Sequence, residues 1–474
     1  MKKMLLTTVL VLAGCTAYAH QGNFSGYFVD RTMRIDLFHT GGMGTEIVAL
    51  DRIVADGVWP GSKTRLIDDT NLGHYLVEVI DLSSNRVIYT RGFATIFGEW
   101  ETTGEAKRLH RTYHESLRIP WPRAAVQVVL KKRQSAGGFA EIWTTNIDPD
   151  SRFVNPVDLA PLGKVWTLFE NGAPERKVDL LLIGEGYTSK EMKKFHHDAE
   201  RLTKALFETE PFKSRKKDFN VRAIDIPAQS SGVSQPRADD FNRTPVSLEY
   251  NIFDSERYLL TYDKRALRDV ASAAPYDFIE ILVNEEQYGG GGIFNFQATT
   301  SVDTAFAEYV FIHEFGHHFA ALADEYYTSP VAYETGGDGV RPEPWEPNVT
   351  ALNDPDKLKW QELVAESTPL PTPWPKEHFE ETSRNYQKRR AELRAANTPE
   401  SEMNKLFYEV RDLMTPLLGE QEYSNTVGAF EGASYEATGL YRPEMDCIMF
   451  TRDDVGFCRV CSAAIEAVID LYSE

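Results

Sequence analysis

The sequence predicts an α+β chain in two unlike parts: an N-terminal antiparallel β-sandwich over 20–150, then an α/β domain over 160–474 that a helical insertion interrupts at about 328–420. Three observations lead there. Short alternating and β-branched runs, separated by Gly, Asp, Asn and Pro, crowd the stretch from Phe24 to Ile147. From residue 178 onward, apolar strand patterns alternate with helical ones. A Pro-rich and then strongly charged stretch breaks that alternation.

The first residues, "MKKMLLTTVLVLAGCTAYAHQG", place two lysines before an apolar run from Met4 to Ala13 and a group of small residues. That is an export signal over 1–19, too short to span a bilayer permanently. Two processing points compete. Leu12-Ala13-Gly14-Cys15 resembles a bacterial lipobox, which would make Cys15 the site of a lipid anchor; Ala17-Tyr18-Ala19 fits cleavage after Ala19. Either route takes the chain out of the cytoplasm, as a periplasmic or cell-surface lipoprotein or a secreted protein. No later segment has the run of about 20 apolar residues that a transmembrane helix needs.

The sandwich is read from "HYLVEVIDL", "NRVIYTRGF", "AAVQVVLKK" and "AEIWTTNI", with "NIDPDSRFVNP" (146–156) as a linker. Beyond it, "VDLLLIGEGYT" (178–188) opens with an apolar run that ends at Gly184, which predicts a strand buried on both faces. Met192, Phe195, Leu202 and Leu206 recur at helical intervals over about 189–207. "FNVRAIDIPA" and "YDFIEILVN" read as further strands, with a short helix near 264–273 between them. "YGGGGIFN" has two readings, an edge strand able to pair with an extended peptide or a flexible glycine loop. In the insertion, "PEPWEP" and "TPLPTPWP" precede the helical "HFEETSRNYQKRRAELRAA" and "EMNKLFYEVRDLM".

Composition excludes some partners. At 474 residues and 42% hydrophobic content the chain can bury more than one core, and its net charge of −20 argues against nucleic acid and anionic membrane surfaces.

The chemistry concentrates in "FIHEFGHHFAALADEYY" (311–327). His313, Glu314 and His317 stand in H-E-x-x-H spacing, which chance produces in only about one chain in a hundred of this length. On a helix the two histidines sit one turn apart on one face, able to share a cation about 2.0–2.1 Å from each nitrogen. Glu314, one step round, can reach a metal-bound water as general base without being a ligand. A third donor must come from a chain reversal. Asp324 lies seven residues past His317, about 10 Å along a straight helix, so the helix has to stop near Ala320 to Leu322. Asp324 is the first candidate and Glu325 the next. The bland alternative is a pair of satisfied histidines at a core edge. His318 reads as structural, and the adjacent His196 and His197 read as surface residues.

Three cysteines besides Cys15 stand near the C-terminus, Cys447, Cys458 and Cys461. Their spacing could hold a soft metal if a fourth ligand came from elsewhere, but one disulfide is the expectation for an exported chain.

"HEFGHHFAALADEYY", "SGVSQP", "YGGGGIFN", "GAFEGASYEATGLYRPEMDCIMF" and "FCRVC" together resemble the IgA-peptidase family of zinc metallopeptidases, relatives of the metzincins that carry an N-terminal β-domain. The resemblance implies a metzincin-like catalytic domain with one Zn2+ held by His313, His317 and Asp324, and Glu314 as general base. It also implies that "CIMF" turns Met449 beneath the metal as an apolar floor. Two positions depart from the common metzincin pattern: Ala320 replaces its glycine, and Ala323 stands where its third ligand would fall. Tyr435, Tyr441 and Arg442 are candidates to steady an oxyanion. The function expected is an exported zinc metallopeptidase acting on protein or peptide. Its rivals are an exported binding lipoprotein with a structural metal site and a zinc amidase acting on cell-wall peptides.

Overall fold

A computed structural model describes residues 23–135, 137–333 and 341–473, so the expected export signal, Cys15 and the Ala19 cleavage point lie outside the described residues. The N-terminal part comprises, in chain order, α1 (Phe24–Tyr27), β1 (Phe28–Gly42), β2 (Thr45–Ala55), β3 (Tyr75–Asp81), β4 (Arg86–Phe93), α2 (Ile96–Trp100), β5 (Arg111–Pro122), β6 (Val126–Arg133), β7 (Phe139–Ile147) and β8 (Val154–Asn155). Two four-stranded sheets result, ordered β5-β1-β2-β8 and β4-β3-β6-β7. The sequence period explains the burial. Along β3, Tyr75, Val77 and Val79 are buried while Leu76, Glu78 and Ile80 are partly exposed. Inward residues of both sheets, among them Met33, Ile35, Val77, Ile119 and Val128, share one apolar cluster. The expected linker contributes β8, which pairs in parallel with β2.

The remaining elements are β9 (Lys164–Phe169), β10 (Val178–Glu185), α3 (Met192–Leu206), β11 (Phe219–Asp225), β12 (Leu248–Glu249), β13 (Leu260–Thr261), α4 (Lys264–Ala271), β14 (Phe278–Val283), β15 (Gly290–Ile293), β16 (Gln297–Ser301), α5 (Ala307–Ala320), α6 (Lys376–Ala395), α7 (Glu400–Gly419), β17 (Phe430–Ala433), β18 (Glu436–Arg442) and α8 (Arg459–Tyr472). A six-stranded mixed sheet runs β15-β16-β14-β10-β11-β9. Its four inner strands are parallel and its edges, β15 and β9, antiparallel. Every residue of β10 and β14 is buried; their Leu, Ile, Val and Phe side chains fill the core on both faces, and Asp179, Glu185 and Glu280 are enclosed with them. Among the described residues no helix is long and apolar enough to cross a membrane.

Buried charges join the two parts. Arg34 on β1 pairs with Asp56 at 2.8 Å and with Asp269 on α4. Lys264, also on α4, meets Glu115 of β5 at 2.8 Å, both side chains nearly inaccessible. Removing one partner of such a pair strands a charge in the interior. The helices α6 and α7 bury Tyr386, Met403, Leu406 and Phe407 against Phe306 and Val310 at the start of α5.

Candidate metal centre

Helix α5 owes its rotation to its phenylalanines. Phe311, Phe315 and Phe319 are fully buried, with Phe319 4.6 Å from the Phe278 ring and Phe315 5.3 Å from Phe212. Anchoring that stripe turns His313, Glu314 and His317 to one side. Glu314 and His317 there line a cleft of about 290 Å³.

The helix stops where the reversal was expected. Ala321 caps it in the left-handed region, φ 55° and ψ 30°, without a glycine to ease the turn. Such a conformation costs a non-glycine residue about 1–2 kcal/mol. Local bonds supply the compensation: the Ala321 amide donates to Gly316 and His317 carbonyls. Asn348, from the insertion, clamps the next turn by accepting from the Ala323 amide at 2.8 Å and donating to the Ala323 carbonyl at 3.0 Å.

Asp324 thereby reaches the histidines. Its Oδ1 lies 2.9 Å from His313 Nε2 and 3.3 Å from His317 Nε2, and the two Nε2 atoms are 3.2 Å apart. The opposite ring nitrogens are committed: His313 Nδ1 donates to the Ile448 carbonyl at 2.9 Å and His317 Nδ1 to the Leu322 carbonyl. Held that way, the imidazoles turn their Nε2 atoms inward, and once these are deprotonated three donors facing a common point suit a cation. A tetrahedral ion bonded at about 2.0–2.1 Å sets its donors about 3.3–3.4 Å apart, close to the triangle observed. The residues fit the expected ion.

The three groups are strongly coupled by charge. Burial alone would raise the Asp324 carboxyl, but the His317 charge and the bonds from both histidines hold it well below the usual carboxylate range. Burial alone would lower His317, yet Asp324 lifts it to about 9. Glu314 is raised by burial, partly offset by the two histidines.

The other candidates separate. Glu325 turns away from the triangle, its Oε1 3.0 Å from Asn348 Nδ2 and 3.3 Å from Cys461 Sγ. Met449 is fully buried, and a Cβ added to Gly316 in α5 would meet its sulfur at 3.1 Å. The Met449 carbonyl accepts the Glu325 amide at 2.9 Å, tying this turn to the loop that carries Asp324. Tyr435 lines the cleft and donates to Asp324 Oδ2. Arg442 does not face the cleft; it is buried, donates to the Gly432 and Met445 carbonyls and stacks on Phe450. Tyr441 is occupied in a backbone bridge to Thr350. His318 is structural, donating to the Ile293 carbonyl at 3.0 Å and accepting the Ile279 amide at 3.1 Å, and burial pushes it down to about 3. His196 bonds Asp225 at 2.8 Å and His197 is exposed. The expected disulfide is not made: Cys447 Sγ and Cys461 Sγ are 3.9 Å apart, against about 2.05 Å for a bond.

"YGGGGIFN" supplies the edge strand β15, and its glycines have a steric reason. A Cβ at Gly292 would sit 2.4 Å from the Glu314 carbonyl oxygen, and one at Gly290 would sit 2.9 Å from Glu314 Cγ. Only residues without Cβ let this strand lie so close to α5.

Several cleft residues had no local signal in the sequence. Glu99, at the end of α2 in the N-terminal part, accepts from Tyr258 and, at 2.9 Å, from Tyr333; burial raises it to about 7. Arg257 donates to the Tyr326 hydroxyl at 2.7 Å. Beneath the helix, Glu280 of β14 has both carboxylate oxygens buried without a partner, and burial together with the Glu314 charge raises it well above its ordinary value. All lie far in sequence from the H-E-x-x-H motif, and only folding assembles them.

The chain matches the family model described as IgA Peptidase M64 over residues 167–469, and that described as Peptidase M64 N-terminus over residues 23–144. No curated protein matches it.

Proposed function

The chain belongs to the IgA peptidase M64 family, a family of metallopeptidases, and from that premise we propose that it is an exported zinc endopeptidase. The observation that carries the reading is the triangle of His313 Nε2, His317 Nε2 and Asp324 Oδ1 with Glu314 beside it in an open cleft. On this reading the two N-terminal sheets form a β-sandwich domain over 20–150, and residues 160–474 form a metzincin-like catalytic domain with its insertion at about 328–420. Residues 1–19 direct export, with Cys15 as a lipid anchor or Ala19 as the cleavage point.

The three ligands would hold one zinc ion, which when bound supplies a Lewis acid that polarises the scissile carbonyl and acidifies water. Everything else falls to the chain. Glu314, raised by burial, takes the proton from the attacking water and delivers it to the leaving nitrogen. The carbonyls of Ile448 and Leu322 hold the two imidazoles in the tautomer that points Nε2 inward. Tyr435 fixes the free oxygen of Asp324 and is the one oxyanion candidate among the three that reaches the cleft. Met449 is the apolar floor. Gly290 is already bonded to Arg257 and Leu259, so the edge left for an extended peptide begins at Gly292, directly over Glu314.

Metal analysis of the purified chain, paired with a casein or peptide-library digest of wild type and Glu314→Gln, tests this. The expected result is bound zinc in both and hydrolysis reduced about 10²–10⁴-fold or more in the variant. Zinc without turnover in either chain would favour a binding protein, and cleavage confined to peptidoglycan fragments a cell-wall amidase.

A further inference from the structure

A second cluster of donors lies behind the ligand loop. The sulfurs of Cys447, Cys458 and Cys461 and a carboxylate oxygen of Glu325 lie within 4.8 Å of one another, and all four residues are buried. They come from three separate pieces of chain: the loop that delivers Asp324, the turn that carries Met449, and the start of α8. We propose that these four residues form a closed Cys3Glu site for a structural zinc ion, distinct from the centre at His313.

The distances suit such an ion. Tetrahedral zinc with thiolates at about 2.3 Å places its sulfurs about 3.8 Å apart, and a sulfur and a carboxylate oxygen about 3.5 Å apart. Cys447 Sγ and Cys461 Sγ are separated by 3.9 Å, and Cys461 Sγ and Glu325 Oε1 by 3.3 Å. Backbone amides point at two of the sulfurs. The Cys458 amide points at Cys447 Sγ at 3.3 Å and the Cys461 amide at Cys458 Sγ at 3.4 Å. Cys458 is also the N-cap of the 14-residue α8, where the helix dipole favours negative charge. Arg442, fully buried, acts electrostatically on both Glu325 and Cys447 and offsets part of the excess negative charge of a three-thiolate, one-carboxylate site.

A disulfide accounts for less. Joining any two of the sulfurs leaves the third sulfur and the Glu325 carboxylate buried beside the bond with no role in it. The contrast with another group of possible ligands, Asp36, Asp51 and His114, is instructive. There Arg34, Arg52 and Arg265 already pair with the carboxylates, so no ion is required. Soft sulfur donors in a four-donor shell select zinc over hard cations, and a full shell leaves no position for substrate.

The site would act as a staple on the first centre. Glu325 follows Asp324 directly. Cys447 precedes Ile448, whose carbonyl orients His313, and Met449, whose carbonyl holds the Glu325 amide. A metal joining Glu325 to Cys447 therefore fixes the distance between the third ligand and the turn beneath the two histidines.

The test uses the full chain. Zinc per chain is counted in wild type, His317→Ala and Cys461→Ser, and the cobalt-substituted forms are examined for thiolate-to-cobalt charge transfer in the near ultraviolet. Two zinc ions are expected in wild type and one in His317→Ala, with the charge-transfer band intact; Cys461→Ser should weaken the band by about a third or more, or lose it with the metal. Because Cys461→Ser can fail to fold, wild type is also titrated with an organomercurial, which should release one zinc in step with modification of the three thiols. A disulfide between any two of these cysteines in a non-reducing peptide map, three free thiols without released metal, or a band unchanged in position and intensity by Cys461→Ser would overturn the proposal. Thiolate-bound zinc in a chain that loses no metal on His317→Ala would sink the catalytic reading and leave this one standing.

Discussion

Gly292→Ala probes the close crossing of β15 over the helix that carries Glu314. The new Cβ would meet the Glu314 carbonyl oxygen at 2.4 Å and His317 Cβ at 2.8 Å. Neither atom can swing aside, since one is helix backbone and the other is fixed to it. Ordinary contact begins at 3.4 Å, and 3.4 − 2.4 leaves about 1 Å by which strand and helix must part. Overpacking of that size costs about 1–3 kcal/mol. A displacement of about 1 Å at the residues that position substrate costs roughly 10²-fold in turnover. Urea unfolding should therefore show a lower midpoint with an unchanged slope, and kcat/KM on a peptide substrate should fall about 100-fold. Gly291→Ala is the control. Its Cβ points to the other face, toward Tyr258 at 2.7 Å and Leu260 at 3.0 Å, so it should lose stability with a much smaller loss of turnover. A Gly292→Ala chain with wild-type stability and kcat/KM within about threefold of wild type would refute the steric account of this strand.

Tyr435→Phe removes the hydroxyl that fixes Asp324 Oδ2 and should weaken metal affinity about 10–100-fold in a chelator competition, with stability little changed. Unchanged affinity would mean that Asp324 is held by its loop alone. At Ala321, held at φ 55°, glycine should be tolerated within about 1 kcal/mol, because relief of the left-handed strain offsets the added freedom of the unfolded chain. Ala321→Val should cost about 2 kcal/mol and loosen the metal as well; equal melting temperatures for the two variants would count against the strained cap. Glu46 accepts from His39 at 2.7 Å and from Lys132 at 2.7 Å; burial would raise it, but these partners bring it down from 4.5 to about 2. A depressed folded pKa adds stability above about pH 4.5 that is lost as pH falls toward 2. The difference in unfolding free energy between wild type and Glu46→Gln should accordingly be about 2 kcal/mol at pH 6, allowing for screening, and shrink toward zero near pH 2. A difference independent of pH would exclude this linkage.

Much of the architecture was legible because burial has a period. The largely apolar runs at 178–185 and 278–283 read as strands, and they became the centre of the six-stranded sheet. The spacing of His313 and His317 needed nothing beyond helix geometry. The requirement that the helix end before Asp324 could reach them followed from a rise of about 1.5 Å per residue. Where signals were weaker, the reading stayed open. Edge strand β9 carries only a short mixed pattern and was not foreseen, and the acid at 325 could not be told from the acid at 324 by composition.

What the sequence determined by itself was therefore local: which residues share a helix face, which runs must be buried, and where a reversal is compulsory. Tertiary structure decided what faces what. It sent Asp324 to the imidazoles and Glu325 to the cysteines, because Asn348, 23 residues beyond Glu325, clamps the loop between them. It brought Glu99 from the N-terminal part into the cleft and placed Glu280 under Glu314. Helical and strand periods are written in neighbouring residues, whereas meetings across 100 or 200 positions depend on how sheets and helices pack, which no short window of sequence contains.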